Sequence, residues 1–148
     1  TAGHQTRREN AKKEGQGVSP VLFTLDVEVR WRDLDAFNHV NNASYLGYIE
    51  EARVRWFKSL SEDWASAGAS PNLAAVTMNY RRPIGWPESL HVALFAERLG
   101  GKSLTLGHRI MSATKSDHLY ADGSTVMVWV DDAGQSIPLP ESIRSACR

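Results

Sequence analysis

Residues 42–60, NASYLGYIEEARVRWFKSL, decide the fold. Tyr45, Ile49, Ala52, Trp56 and Leu60 recur at spacings of four, three, four and four, which lines them up along one stripe of an α-helix. Glu51 and Arg55 stand four apart on the other face, a pair that supports a helix. Asn42 is a good N-cap, so the pattern predicts a helix from Ala43 to about Leu60, roughly 27 Å long at 1.5 Å per residue. Gly47 lies in mid-helix at a cost of about 1 kcal/mol relative to Ala.

On either side of this helix the period changes to two. Phe23, Leu25, Val27, Val29 and Trp31 alternate with Thr24, Asp26, Glu28 and Arg30, which predicts a strand with one buried face. Asp33, Leu34 and Asp35 end it, and residues 36–42 read as a loop. After the Ser/Ala/Gly connector of residues 61–71 only strand signals remain. Ala74, Val76, Met78 and Tyr80 alternate, then Leu90, Val92, Leu94 and Ala96, with Gly100-Gly101 marking a hairpin before Leu104. Val126 to Val130 are apolar on both faces, as in a central strand. One helical turn fits residues 141–145. The order of one strand, one long helix and about four strands predicts an α+β layer, an antiparallel sheet covered by the helix on one face. An exposed apolar edge strand invites pairing with a second copy.

Composition narrows the function. The 148 residues carry 17 basic and 17 acidic side chains, so bulk charge gives no reason to expect nucleic acid or an anionic membrane as partner. No apolar run approaches the roughly 20 residues that span a bilayer. The single cysteine, Cys147, excludes an intrachain disulfide and fits a reducing compartment, so a cytoplasmic location is expected. Residues 1–20 are polar, without periodicity or a secretory h-region, and read as a disordered tail preceding one domain over residues 21–148. The histidines at 4, 91, 108 and 118 match no metal-ligand spacing, and no phosphate loop, serine elbow or dinucleotide fingerprint occurs. Neither metal nor cofactor is expected.

The run Arg30-Trp31-Arg32-Asp33-Leu34-Asp35-Ala36-Phe37-Asn38-His39-Val40-Asn41-Asn42-Ala43-Ser44-Tyr45 resembles the signature of hot-dog-fold thioesterases, in the 4-hydroxybenzoyl-CoA thioesterase-like and short acyl-CoA thioesterase group. Residues 45–53, Tyr80-Arg81-Arg82-Pro83-Ile84 and Gly100-Gly101-Lys102-Ser103 are similar to later parts of the same family. The resemblance implies a curved antiparallel sheet of about five strands round one central helix. It also implies an acyl-CoA substrate and a homodimer, or a dimer of dimers, with sites at the dimer interface.

Thioester hydrolysis needs an activated water or a carboxylate nucleophile, and donors for the oxygen that becomes negative. Asp35 matches the family's loop carboxylate and is the expected base or nucleophile; Asp33 is its neighbouring rival. The unpartnered N–H groups at the helix start, around Asn42, Ala43 and Ser44, are expected to polarise the thioester carbonyl. Asn42 caps the helix, orients water, or both. His39 either fixes the loop or serves as a base; Phe37 stands where plant acyl-carrier-protein thioesterases carry an Asn. Glu50 and Glu51 raise a second possibility, since another hot-dog lineage uses a helix Glu. Arg81, Arg82, Lys102 and Ser103 are the expected coenzyme A contacts, and Phe37, Tyr45, Tyr48 and Trp86 the candidate acyl pocket. A non-catalytic acyl-CoA-binding module is the alternative function.

Overall fold

In a computed structural model, which describes residues 20–60, 62–65 and 68–148, the first period-two segment forms strand β1, Val21–Glu28. The expected tail lies outside the described residues, apart from Pro20. The alternation predicts a strand as far as Trp31, but β1 stops at Glu28 and a turn of 3-10 helix, Trp31–Asp33, follows. Local chemistry explains the difference. The Asp33 carboxylate accepts hydrogen bonds from the Arg30 N–H (3.0 Å) and the Arg30 guanidinium (3.1 Å), closing the turn and turning Trp31 outward, 70% exposed.

Helix α1 spans Asn42–Ser59. Asn41, not Asn42, is its N-cap: the Asn41 N–H bonds the Asp33 carbonyl at 2.8 Å, which holds residue 41 outside the helix, and its Oδ1 accepts the Ala43 N–H at 2.9 Å. Asn42 becomes the first helical residue. The expected stripe is buried at Tyr45, Ile49, Ala52 and Trp56, joined by Tyr48, Arg53 and Phe57, while Leu60 forms the C-cap.

Four strands follow: β2, Ser70–Tyr80; β3, Ser89–Leu99; β4, Ser103–Ser112; and β5, Leu119–Val130. With β1 they make one antiparallel sheet in the order β1-β3-β4-β5-β2, and Gly100-Gly101 turns β3 into β4 as the sequence indicates. Leu90, Val92 and Leu94 of β3, Leu104, Leu106 and Ile110 of β4, and Met127 and Trp129 of β5 form the core with the helix stripe. Each such side chain contributes about 1.5–3 kcal/mol by leaving water. β5 is internal as expected, although Val126, Val128 and Val130 on its other face are only half-buried. The short C-terminal helix α2, Glu141–Cys147, exceeds the expected single turn and seats Ile143 in the core. No helix among the described residues is long and apolar enough to cross a membrane.

Two features of the sheet bear on the site. The edge formed by β2 is bare: it pairs only with β5, and Leu73, Val76 and Tyr80 are 51%, 40% and 47% exposed. The polarity of the strands also fixes two ends of the molecule. The end of β2, the start of β5 and the start of β3 lie beside the helix N-terminus, as the bonds from the Val40 N–H to the Ile84 carbonyl and from Tyr80 Oη to the Asn42 carbonyl attest. The Gly100–Ser103 turn is at the other end, roughly 30 Å away along strands that rise about 3.3 Å per residue.

Within the core, His108 of β4 is 1% exposed and faces the place where Gly123 of β5 lacks a side chain. Burial holds its imidazole down at about 4, and Arg53 acts in the same direction against Asp122 and the Thr77 carbonyl. A Cβ on Gly123 would stand 2.0 Å from the Thr77 carbonyl oxygen and 2.9 Å from His108 Nε2, whereas one on Gly47 would meet nothing within 4 Å. Gly123→Ala should therefore destabilise the fold by about 2 kcal/mol or more. Gly47→Ala should stabilise it by about 0.5–1 kcal/mol. Thermal or urea denaturation of the two variants, compared with wild type, reads both signs.

Candidate active site

The loop between β1 and α1 is a small closed device. Leu34 and Val40 form an antiparallel bridge, the Asp35 N–H bonds the His39 carbonyl (2.9 Å), and the Asn38 N–H bonds the Asp35 carbonyl (3.1 Å). Asn38 takes a positive φ of 61° to complete the turn, a conformation that Asn tolerates better than most residues. Asp35 is half-buried at its base, and its Oδ1 accepts the Phe37 N–H at 2.8 Å. That bond fixes the carboxylate's direction and leaves Oδ2 without a donor among the described residues.

Asp35, His39, Val40 and Asn42 share an open cleft of about 410 Å³ with Phe37, Tyr45, Tyr80 and Arg81–Pro83. Tyr45 and Tyr80 meet edge to face at 4.9 Å and form its floor. Burial pushes the Tyr45 phenol up from its usual range, and the neighbouring Tyr80 and Asp35 add to that rise. Phe37 is 81% exposed at the loop tip, so it forms part of the cleft's rim.

The helix start supplies fewer donors than expected. The Ala43 N–H is spent on the Asn41 cap and the Ser44 N–H on the Asn41 carbonyl (2.9 Å), and neither residue lines the cleft. Asn42 does line it, and its N–H has no acceptor within the described chain. Asn42, at the positive end of an 18-residue helix, thus shares the cavity with Asp35.

Other expected residues fall elsewhere. Asp33 is 5% exposed and fully engaged, accepting the Tyr48 hydroxyl at 2.7 Å besides Arg30. Burial would raise its carboxyl, but the Arg30 N–H, the Tyr48 hydroxyl and the Arg30 guanidinium together hold it below the usual range. Tyr48 is therefore tied to Asp33 and does not line the cleft, nor does Trp86. Arg81 lies on the cleft but is held by Asp122 at 3.1 Å, while the Arg82 side chain has no ion pair among the described residues. Lys102 and Ser103 stand at the far end of the protomer. Glu51 pairs with Arg55 at 3.1 Å and Glu50 with Arg53 at 4.0 Å, both away from the cleft. Among the described residues no group of three or more His, Cys, Asp or Glu could hold a metal ion.

The sequence that builds this sheet and helix is matched by a family model. The model described as the thioesterase-like superfamily spans residues 29–147. The chain belongs to this superfamily. It has the hot-dog fold, and its class is that of thioester hydrolases. The long-chain acyl-CoA thioesterase FadM of Escherichia coli is 34% identical over 110 residues, covering 71% of this chain and 80% of FadM. The PA2801 protein of Pseudomonas aeruginosa is 39% identical with a TM-score of 0.81, over 87% of this chain and all of that one. A thioesterase of Thermus thermophilus, solved with coenzyme A and zinc, is 35% identical with a TM-score of 0.74, over 86% and 92% of the two chains.

The two loop aspartates should separate cleanly within the superfamily chain. Asp33→Asn leaves a buried acceptor site mismatched with the Arg30 and Tyr48 donors and should cost about 1–3 kcal/mol. Asp35→Asn keeps an oxygen for the Phe37 N–H, and its stability should stay within about 0.5 kcal/mol of wild type. Melting curves of both variants provide the check.

Proposed function

We propose that the chain hydrolyses acyl-CoA thioesters, with Asp35 as the base or nucleophile and the start of α1 as the electrophilic half. The reading is supported chiefly by one observation, that Asp35 lines the same cleft as Asn42, a residue whose N–H has no acceptor among the described residues. In the base form, Asp35 takes a proton from water as the oxygen adds to the thioester carbon. The carbonyl oxygen gains the negative charge and is stabilised by the Asn42 N–H and the helix dipole. Collapse breaks the C–S bond and expels the thiolate. The thiolate takes up the proton that Asp35 removed from water, directly or through the exposed His39 on the rim, and the carboxylate is restored. In the nucleophile form, an Asp35 oxygen adds to the carbon, the C–S bond breaks as the thiolate leaves, and water hydrolyses the resulting anhydride to the free acid and the Asp35 carboxylate. The similarity to FadM and to the Thermus thioesterase solved with coenzyme A supports the choice of substrate class.

Asp35→Asn keeps the turn and removes the charge, so kcat should fall by about 10²–10⁴-fold with Tm nearly unchanged. Thiol release from a panel of short, long and aromatic acyl-CoAs measures this. A wild-type protein that binds acyl-CoA and releases no thiol from any of them would be a binding module instead.

The working unit in this proposal is a homodimer joined through the bare edge of β2. Two β2 strands paired antiparallel about a twofold axis would cover Leu73 and Val76 and continue the sheet from one copy into the next. The same axis would bring the Gly100–Ser103 turn of the second copy to the end that carries Asp35. Lys102 and Ser103 would then lie within reach of the coenzyme A phosphates beside Arg82, although in their own protomer they stand far from the cleft. Val76→Lys should dissociate the dimer by introducing like charges at the axis. Sedimentation velocity should show monomer, and KM for acyl-CoA should rise about tenfold or more.

A further inference from the structure

The Glu88 side chain accepts hydrogen bonds from four different residues, and the cleft chemistry does not use it. It sits at the entry to β3, 7% exposed. Its Oε1 accepts the Ser89 N–H (2.9 Å) and the Thr114 hydroxyl (2.8 Å); its Oε2 accepts the Ser112 hydroxyl (3.1 Å) and the Tyr120 phenol. Lys115 Nζ approaches Oε2 to 3.6 Å. A buried carboxylate is costly unless such donors offset the lost water. Here burial would raise the Glu88 carboxyl, yet the donors outweigh it and hold it at about 2.

What these donors have in common is the segment they tie down. Ser112, Thr114 and Lys115 form the turn between β4 and β5, and Tyr120 opens β5. The Tyr120 carbonyl in turn accepts both the Arg81 N–H (2.8 Å) and the Arg82 N–H (3.1 Å), where the chain leaves the end of β2 to line the cleft. The Glu88 carbonyl accepts the Val29 N–H (2.9 Å) at the root of the other cleft wall. Both walls therefore converge on residue 88.

We infer that Glu88 is a positioning residue for coenzyme A binding: by anchoring the Tyr120 phenol it sets the backbone that presents Arg82 to the nucleotide phosphates. This rests on the reading of the cleft as a coenzyme A site, but it assigns a role to a side chain that touches no part of the substrate. The acyl half of the cleft, at Asp35 and Asn42, hangs on the Asp33 and Ile84 carbonyls instead and makes no bond to the Glu88 side chain.

The experiment compares binding of coenzyme A with binding of pantetheine, which lacks the nucleotide phosphates, by calorimetry, and so does not depend on turnover. In Glu88→Gln and in Tyr120→Phe, the preference for coenzyme A over pantetheine should fall about tenfold, equivalent to about 1.4 kcal/mol. In Tyr120→Phe the ring stays in place, so that variant decides the matter should Glu88→Gln not fold. A lowered Tm with an unchanged preference in Tyr120→Phe would make the network merely structural and overturn the assignment. A wild-type protein that binds both ligands equally would overturn it as well, because no phosphate contact would exist to be positioned. Preferential coenzyme A binding that Tyr120→Phe weakens, in a protein without hydrolysis, would support the assignment and sink the catalytic reading alone.

Discussion

The start of α1 has to satisfy two demands with the same few N–H groups. The helix must be capped, and in the proposed chemistry its positive end must also keep a donor for the cleft. Asn41 resolves the competition. Held outside the helix by the Asp33 carbonyl, it absorbs the Ala43 and Ser44 N–H groups with its own side chain and carbonyl. One N–H, that of Asn42, remains. A one-residue shift of the cap would change which donor is free and where it points, so the Asp33–Asn41 bond governs the site's geometry from a distance. The burial of Asp33 and its bonds to Arg30 and Tyr48 then make sense as the anchor of that bond.

The fold was legible because its signals were strongly periodic. The helix stripe from Tyr45 to Trp56, the four later strands and the Gly100-Gly101 hairpin all stand where the residues put them. The misreadings were local. Alternation carries β1 on to Trp31 because period two cannot register a side chain reaching back three residues, as Asp33 does to Arg30. Of two adjacent asparagines, either could cap, and a long-range bond to the Asp33 carbonyl made the choice.

The site was legible only where motif and cleft coincide. Asp35, His39, Asn42, Tyr45 and the arginine pair come together, while Ala43 and Ser44 spend their N–H groups elsewhere. Lys102 and Ser103 are separated from Asp35 by the length of the sheet, which linear spacing does not reveal. Glu88 carried no signal at all. Its partners at 112, 114 and 120 are 24 to 32 residues away, and hydroxyl donors scattered over that distance form no pattern. The cis Trp86–Pro87 peptide next to it was equally silent in the sequence.

The five tryptophans divide between a buried aromatic cluster and the surface. Trp56 and Trp129 are buried with Phe57; Trp64 stacks on that ring at 5.3 Å, and its carbonyl receives the Trp129 indole N–H at 2.8 Å. Trp31 and Trp86 stand largely in water. Intrinsic fluorescence from this chain is consequently a composite. Its blue component reports the solidity of the buried aromatic cluster, and its red component reports the surroundings of the two exposed indoles.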